Sequence, residues 1–281
     1  MQQHTIEAAQ DTLQAATGGG AEDTGWIMHH VLDSNTWDVE PFFTLHLPEL
    51  HLFGFDISIT KHVLFMWFSA AILIITLSYA ARAYKKSLVP KGVPNFIEVL
   101  IIFVRDEIAR PTIGPGFEKF LPFLLTTFFF ILTANFIGLV PYGSTATSNI
   151  SVTATLAIIS FLFIQGGGMV KNGPVGYFKG LIPHGVPFWI IPIMFVVEFL
   201  GLFTKPFALA IRLFANMTAG HIVIMALIGL IFILRTYYVA PVSVAFALFI
   251  YLLEILVALI QAYIFTMLSS LFIGMAVHQE H

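Results

Sequence analysis

No cysteine occurs in the 281 residues, so disulfides, thiolate metal centres and a cysteine nucleophile are excluded together. Charge is almost as scarce: Asp, Glu, Lys and Arg make up 10% of the chain, against roughly 25% in a soluble globular domain. The formal net charge of -3 comes with no basic block and no low-complexity tail, so the electrostatic footprint of a nucleic-acid binder is missing. No H-E-x-x-H or nucleophile-elbow motif is present, which argues against an intramembrane enzyme. No internal repeat is visible either, and the duplicated halves common in secondary transporters are therefore not indicated. Residues 1–60 lack the basic-then-apolar order of a secretory signal; they carry Glu22, Asp23, Asp33, Asp38, Glu40 and Glu49 instead.

What is present is apolar. Hydrophobic residues make up 58% of the chain and the mean hydropathy is +0.88, so the solvent for most of it is lipid. The pattern predicts an all-α membrane protein of about five transmembrane helices, with a polar N-terminal segment at 1–60 and a membrane-embedded domain at 61–281. His62 to Ala81 is an uncharged run of about the ~20 residues needed to cross ~30 Å of hydrocarbon. Arg82, Lys85, Lys86 and Lys91 follow at once; the positive-inside bias puts them in the cytoplasm and the acidic N-terminus on the far side. From Pro94 to Arg110, Phe96, Val99, Leu100, Phe103 and Val104 alternate at helical spacing with Asn95, Glu98, Arg105 and Asp106. That spacing predicts an amphipathic helix along the cytoplasmic surface.

Phe120 to Val140 and Ile150 to Val170 are two further spans, joined by an uncharged turn from Pro141 to Thr145 suited to the outer face. A Gly/Pro-punctuated loop with Lys171 and Lys179 then runs to Pro187. Phe188 to Leu234 and Val242 to Val277 are too long for upright spans, at roughly 70 and 54 Å of helix against ~30 Å of hydrocarbon. Each must bend or tilt steeply, and Pro206 can break the first, giving a kinked or hairpin-like pair.

Arg212 lies inside the apolar stretch Phe207 to Phe214, far from either end of its segment. Burying it costs from about 2.5 to about 17 kcal/mol, so such a residue is retained for a purpose or paired with an acid. The plainer explanation is a snorkelling or salt-bridged structural arginine. Its neighbours favour more than that. Ala208, Arg212, Ala215 and Ala219 share one helix face, so the guanidinium rises from a stripe of small side chains. A fixed cation on a surface cleared for close approach suits a carboxylate on a partner helix.

Asn216, one turn on, is placed to hold a water or orient the guanidinium, although intramembrane amides often serve as interhelical glue. His221 is nine residues past Arg212 and about 180° around a straight helix, so it faces another partner. Glu254 and Gln261, seven residues apart, share a face of the final segment. Across helices, His221 and Glu254 make a candidate proton relay near neutral pH, or else a structural ion pair. Glu198 stands fourteen residues before Arg212, roughly 21 Å along the helix, and is either a polar access group or an interfacial acid paired with Lys205. Two polar zones result: one opens outward through His221, Glu254 and Gln261, the other inward near Glu198, with Arg212 between. The scattered His29, His30, His46 and His51 lack metal-pair spacing, and His278, Glu280 and His281 read as a solvated tail.

The stretch from Lys205 through Pro206 and Arg212 to His221 closely resembles the signature of subunit a of F-type ATP synthases. Glu254 to Phe265 resembles that family too, as do Asp56 to Thr60 and Asn135 to Pro141. The likeness covers roughly residue 40 to the end, and the first forty residues match no pattern. The resemblance implies that Arg212 is the essential arginine, that Asn216 and Gln261 are its polar neighbours, and that Glu198 is the acid near the cytoplasmic access path. It implies two long tilted helices curving round a ring of c subunits, b subunits of a peripheral stalk, and a bacterial inner membrane with the N-terminus outside and the C-terminus cytoplasmic. No cofactor is implied, and catalysis belongs to the complex rather than to this chain. Some bacterial members carry an acid where His221 stands and a histidine where Glu254 stands; the exchange keeps one acid and one imidazole in the pocket. A self-sufficient secondary transporter or channel, with Arg212 binding an anionic solute, is the rival reading.

Overall fold

In the computed structural model the apolar runs are helices whose bounds follow the residues that punctuate them. The structure describes residues 33–34, 36–39, 43–48, 51–52, 55–56, 58–86, 91–140, 143–180, 187, 189–234 and 238–278. The helices are α1 (Lys61–Lys86), α2 (Val93–Phe103), α3 (Arg110–Ile113), α4 (Leu121–Gly138), α5 (Ile150–Asn172), α6 (Pro174–Lys179), α7 (Ile191–Leu234) and α8 (Ala240–Val277). Of these α1, α4, α5, α7 and α8 are long and apolar enough to cross a membrane, so the chain is an all-α, multi-pass membrane protein.

Two compact units are distinguishable: Met1–Lys61 with Thr218–Glu254, and His62–Met217 with Ile255–His281. The first holds two short antiparallel hairpins that hydrophobic runs of helical length did not foreshadow. β1 (Thr36–Val39) pairs with β2 (Phe43–His46), Thr36 opposite His46, and β3 (His51–Leu52) pairs with β4 (Phe55–Asp56). Thr, Trp, Val and Phe suit a pleated strand, and pairing satisfies backbone groups outside the helices. Of the scattered histidines, His46 is exposed on β2; His29, His30, Glu280 and His281 lie outside the described residues.

In the second unit, local chemistry sets the helix ends. Asn149 caps α5 by accepting a hydrogen bond from the Ser151 amide at 2.8 Å. Gly173, at φ 71°, ends α5 in a conformation that a side chain disfavours, and Pro174 opens α6. The expected loop after the third span is therefore partly helical, with Lys171 in the last turn of α5. Near the start of α1 the buried His62 ring places Nδ1 2.9 Å from Ser144 Oγ and 3.1 Å from the Thr145 carbonyl, holding the α4–α5 connection. At the other end the Tyr84 hydroxyl donates to Glu98 at 2.5 Å and so fastens α1 to α2.

The segment expected as an amphipathic helix is helical but divided: α2 passes through a π turn at Val104–Ala109 into α3. The buried face runs from Pro94 and Ile97 to Val104, Ile108, Ala109 and Ile113. Phe96, Val99, Leu100 and Phe103, placed by spacing on the apolar face, line an open apolar groove of about 1040 Å³ shared with α1, α4 and α8. On the exposed side Arg105 donates through Nε and Nη2 to both oxygens of Asp106, at 2.9 and 2.8 Å. Those hydrogen bonds hold the Asp106 carboxyl below its ordinary range and raise the guanidinium in turn.

α8 shows why this unit packs closely. Ala258, Ala262, Phe265, Ser269, Ile273 and Ala276 are buried along one side, small residues alternating with large. A Cβ on Gly274 would run into the Thr112 carbonyl, and Thr112 Oγ1 lies 2.5 Å from Ser270 Oγ, so α3 rests directly on this helix. Pro206 does not break α7, contrary to the expected break. The 44-residue helix runs through it, roughly 66 Å long, and α8 with 38 residues is roughly 57 Å long. A membrane helix tolerates an interior proline because neighbouring helices and local adjustments satisfy the freed backbone group. Neither helix can stand upright within ~30 Å of hydrocarbon.

Candidate functional site

The inner side of α7 in the second unit is made by Leu209, Leu213 and Met217, all essentially inaccessible, at the four-residue spacing of one face. Anchored there, the helix turns Ala208, Arg212, Ala215 and Asn216 outward, and all four are exposed. Among the described residues Arg212 makes no hydrogen bond or ion pair. A guanidinium carries five donors and a permanent charge, so in an apolar segment it calls for an acceptor from outside these residues. Alanines on either side leave room for one.

Asn216 reaches across to α8: its Nδ2 donates to Gln261 Oε1 at 2.8 Å. Gln261 is only 1% exposed, and its Nε2 has no hydrogen-bond partner among the described residues. A buried amide with one end bound and the other free leaves a donor position that a water or a carboxylate would satisfy. One turn away, Asn135 Nδ2 lies 3.4 Å from the Ala258 carbonyl while its Oδ1 accepts from Thr147 Oγ1 at 2.6 Å. The buried polar groups of α4 and α8 thus continue beside Gln261. Sequence reading met Asn135 only inside a motif; an uncompensated amide within a phenylalanine-rich span was the available signal.

His221 and Glu254, both in the first unit, do meet: Nδ1 and Oε1 are 2.5 Å apart. Glu254 is 4% exposed, and its Oε2 is buried without a partner among the described residues. A carboxyl in that state is stabilised by a proton or a water, and the imidazole alongside can exchange one with it. Gly220 makes the approach possible, because a Cβ there would stand 2.7 Å from Glu254 Oε1 and 2.9 Å from its carboxyl carbon. Nothing in the spacing of hydrophobic residues marks that glycine, whose role is defined by what lies across from it.

Glu198 is partly exposed on α7, and among the described residues it makes no ion pair. The expected alternative of a Glu198–Lys205 pair is thereby overturned: the Lys205 ammonium lies over the Phe272 ring, 5.2 Å from its centroid. At the C-terminal end of α8 the exposed His278 has its Nδ1 3.0 Å from Lys171 Nζ.

Comparison with known proteins bears on the whole of this arrangement. The family model described as ATP synthase A chain matches residues 63–274. ATP synthase subunit a of Chloroherpeton thalassium is 58% identical over 259 residues, covering 90% of this chain and 77% of that protein. ATP synthase subunit a 2 of Chlorobaculum tepidum is 54% identical over 254 residues, covering 89% of this chain and 72% of the relative. ATP synthase subunit a of an Anaeromyxobacter species is 45% identical over 313 aligned positions, covering 98% and 76%. With a family match across most of its length and these relatives, the chain belongs to the ATP synthase A chain family.

Proposed function

We propose that this chain is the proton-translocating stator subunit of the F0 sector of a rotary ATP synthase, and that Arg212 separates two offset half-channels. The observation that carries the reading is the outward-facing Arg212, without a partner among the described residues, on a stripe of alanines. A ring of c subunits, each with a membrane carboxylate, supplies the missing acceptor. Protons enter from the outer face by His221, Glu254 and Gln261 and neutralise that carboxylate, which lowers the cost of its passage through lipid. After nearly a full turn the carboxylate returns beside Glu198, releases its proton to the inner side and is drawn as an anion to Arg212.

Arg212 also bars direct proton passage between the zones. Each elementary charge crossing is worth about 2.3 kcal/mol per 100 mV, and that energy becomes torque only if leakage through this chain is prevented. The chain holds no catalytic centre of its own in this reading; ATP chemistry belongs to other subunits, and b subunits fix the chain to the peripheral stalk. Arg82, Lys85 and Lys86 at the C-terminal end of α1, with Lys91 beyond it, support a cytoplasmic position for that end in a bacterial inner membrane, with the N-terminus outside.

The test is ATP-driven acidification of membrane vesicles containing the assembled complex, without sodium. Arg212→Ala is expected to abolish acidification while assembly and ATP hydrolysis persist. Acidification equal to wild type removes Arg212 from the centre of the mechanism.

A further inference from the structure

Lys205 is not used in the mechanism above, yet it is the middle member of an evenly spaced charged row. Glu198, Lys205 and Arg212 stand seven residues apart, so each step is about 10.5 Å along and about 20° around an ideal helix. They are the only Asp, Glu, Lys or Arg in the 44 residues of α7. A lysine placed there for stability alone would neutralise Glu198, and it does not: its ammonium sits over the Phe272 ring at 5.2 Å. The aromatic face holds the cation in place without cancelling its charge.

Among the described residues no other side chain pairs with it either. α5, whose Phe161 ring lies 5.5 Å from that of Phe203 on α7, carries a single charged residue, Lys171, at its far end beside His278. In the Ile255–Val277 part of α8 the sole titratable side chain is Tyr263. Among the described residues of α7 the charged groups on the face of Lys205 are Glu198 on one side and Arg212 on the other. An ammonium with no acidic partner among the described residues, on a residue about 10.5 Å along the helix axis from the arginine, acts on any carboxylate passing that stretch of helix.

We propose that Lys205 is an electrostatic positioning residue of the inner access path: it favours the ionised form of the rotor carboxylate as that group gives up its proton to the inner side. The proposal rests on the reading that the Arg212 face meets a carboxylate-bearing helix. The proton passes from the rotor carboxyl to water near Glu198, and Lys205 itself neither gains nor loses one. A unit charge about 10 Å away in a medium of effective dielectric constant ~20 is worth about one pH unit in the proton affinity of its neighbour.

The experiment uses the complete ATP synthase in vesicles energised by a fixed potential and a fixed outer pH. The rate of ATP synthesis is followed while the pH on the ATP-forming side is varied, and is normalised at each pH to hydrolysis in uncoupled vesicles. Lys205→Gln is expected to move the midpoint of the rate profile to more alkaline inner pH by about one unit, and Lys205→Arg to restore it. Lys205→Met serves for the same measurement if the glutamine variant does not assemble. A merely structural lysine changes the amount of active enzyme but not the midpoint. An unmoved midpoint in the neutral variants overturns the proposal and leaves Arg212 untouched; the Arg212 reading fails separately, if Arg212→Ala still couples.

Discussion

Gly220→Ala sets two physical effects against each other. In a helix interior, alanine is favoured over glycine by about 1 kcal/mol, so on propensity alone the variant is as stable as wild type or more so. The pocket opposes it. The new Cβ would lie 2.7 Å from Glu254 Oε1, 2.9 Å from the carboxyl carbon and 3.3 Å from Cγ, whereas non-bonded contacts to carbon settle near ~3.5 Å. Glu254 must retreat by roughly 0.7 Å. Retreat along the line of the bond stretches the 2.5 Å contact with His221 to the limit of a hydrogen bond. A hydrogen bond to a charged group contributes about 1.5 to 3 kcal/mol, so proton exchange between the two slows by ~10- to 100-fold where it limits turnover. The assay pairs ATP-driven acidification with thermal inactivation of the assembled complex. Acidification is expected to fall at least tenfold with no loss of thermal stability. Glu254→Asp, shorter by one methylene, is expected to recover part of the rate in the Gly220→Ala background. Wild-type acidification in Gly220→Ala alone refutes the claim that this contact carries protons.

Gln261→Leu removes both the acceptor of Asn216 and a buried amide nitrogen without a partner among the described residues, so stability is expected to change little while coupled acidification drops; unchanged acidification would reduce the Asn216–Gln261 bond to interhelical glue. Tyr177 is raised above the ordinary tyrosine value of 10.0 by burial, which outweighs the opposing hydrogen bond with Gln165. Because the folded value is the higher one, this contribution to stability is complete below about pH 10 and is lost as pH climbs through the raised value. Tyr177→Phe is expected to flatten that alkaline decline in thermal denaturation, and an identical decline in the variant would refute it.

Much of the molecule was legible because membrane burial leaves a simple record. An uncharged, mostly apolar run of about twenty residues ended by Arg82 and Lys85 has few other uses than a span, and α1, α4 and α5 begin and end close to the runs that announced them. Arg212 was legible for the same reason, since a charge amid Phe207 to Phe214 is costly enough to stand out. His221 and Glu254 were legible as residue types, and they meet. Other features were not. Pro206 promised a break that α7 does not take, because satisfaction of the freed carbonyl depends on neighbours that a linear pattern omits. Phe96 and Val99 have the spacing of an apolar face but line a groove, since hydrophobicity does not say which apolar side chains meet protein when the surroundings are apolar too. The Lys205–Glu198 pair expected from spacing gave way to an aromatic ring on another helix.

By itself the sequence determined the solvent, the number of spans, the over-length of the last two helices and which charged residues lie within them. Those properties are local sums: hydropathy per residue, rise per residue and the cost of a charge in hydrocarbon. Tertiary structure alone decided that Asn216 binds Gln261, that Gly220 admits Glu254 to His221, and that Lys205 rests on Phe272 while Arg212 faces outward with no acceptor among the described residues. Each is a contact between residues distant in the chain or a matter of which helix face is covered, set by how close two backbones come, and composition and periodicity carry no measure of that distance.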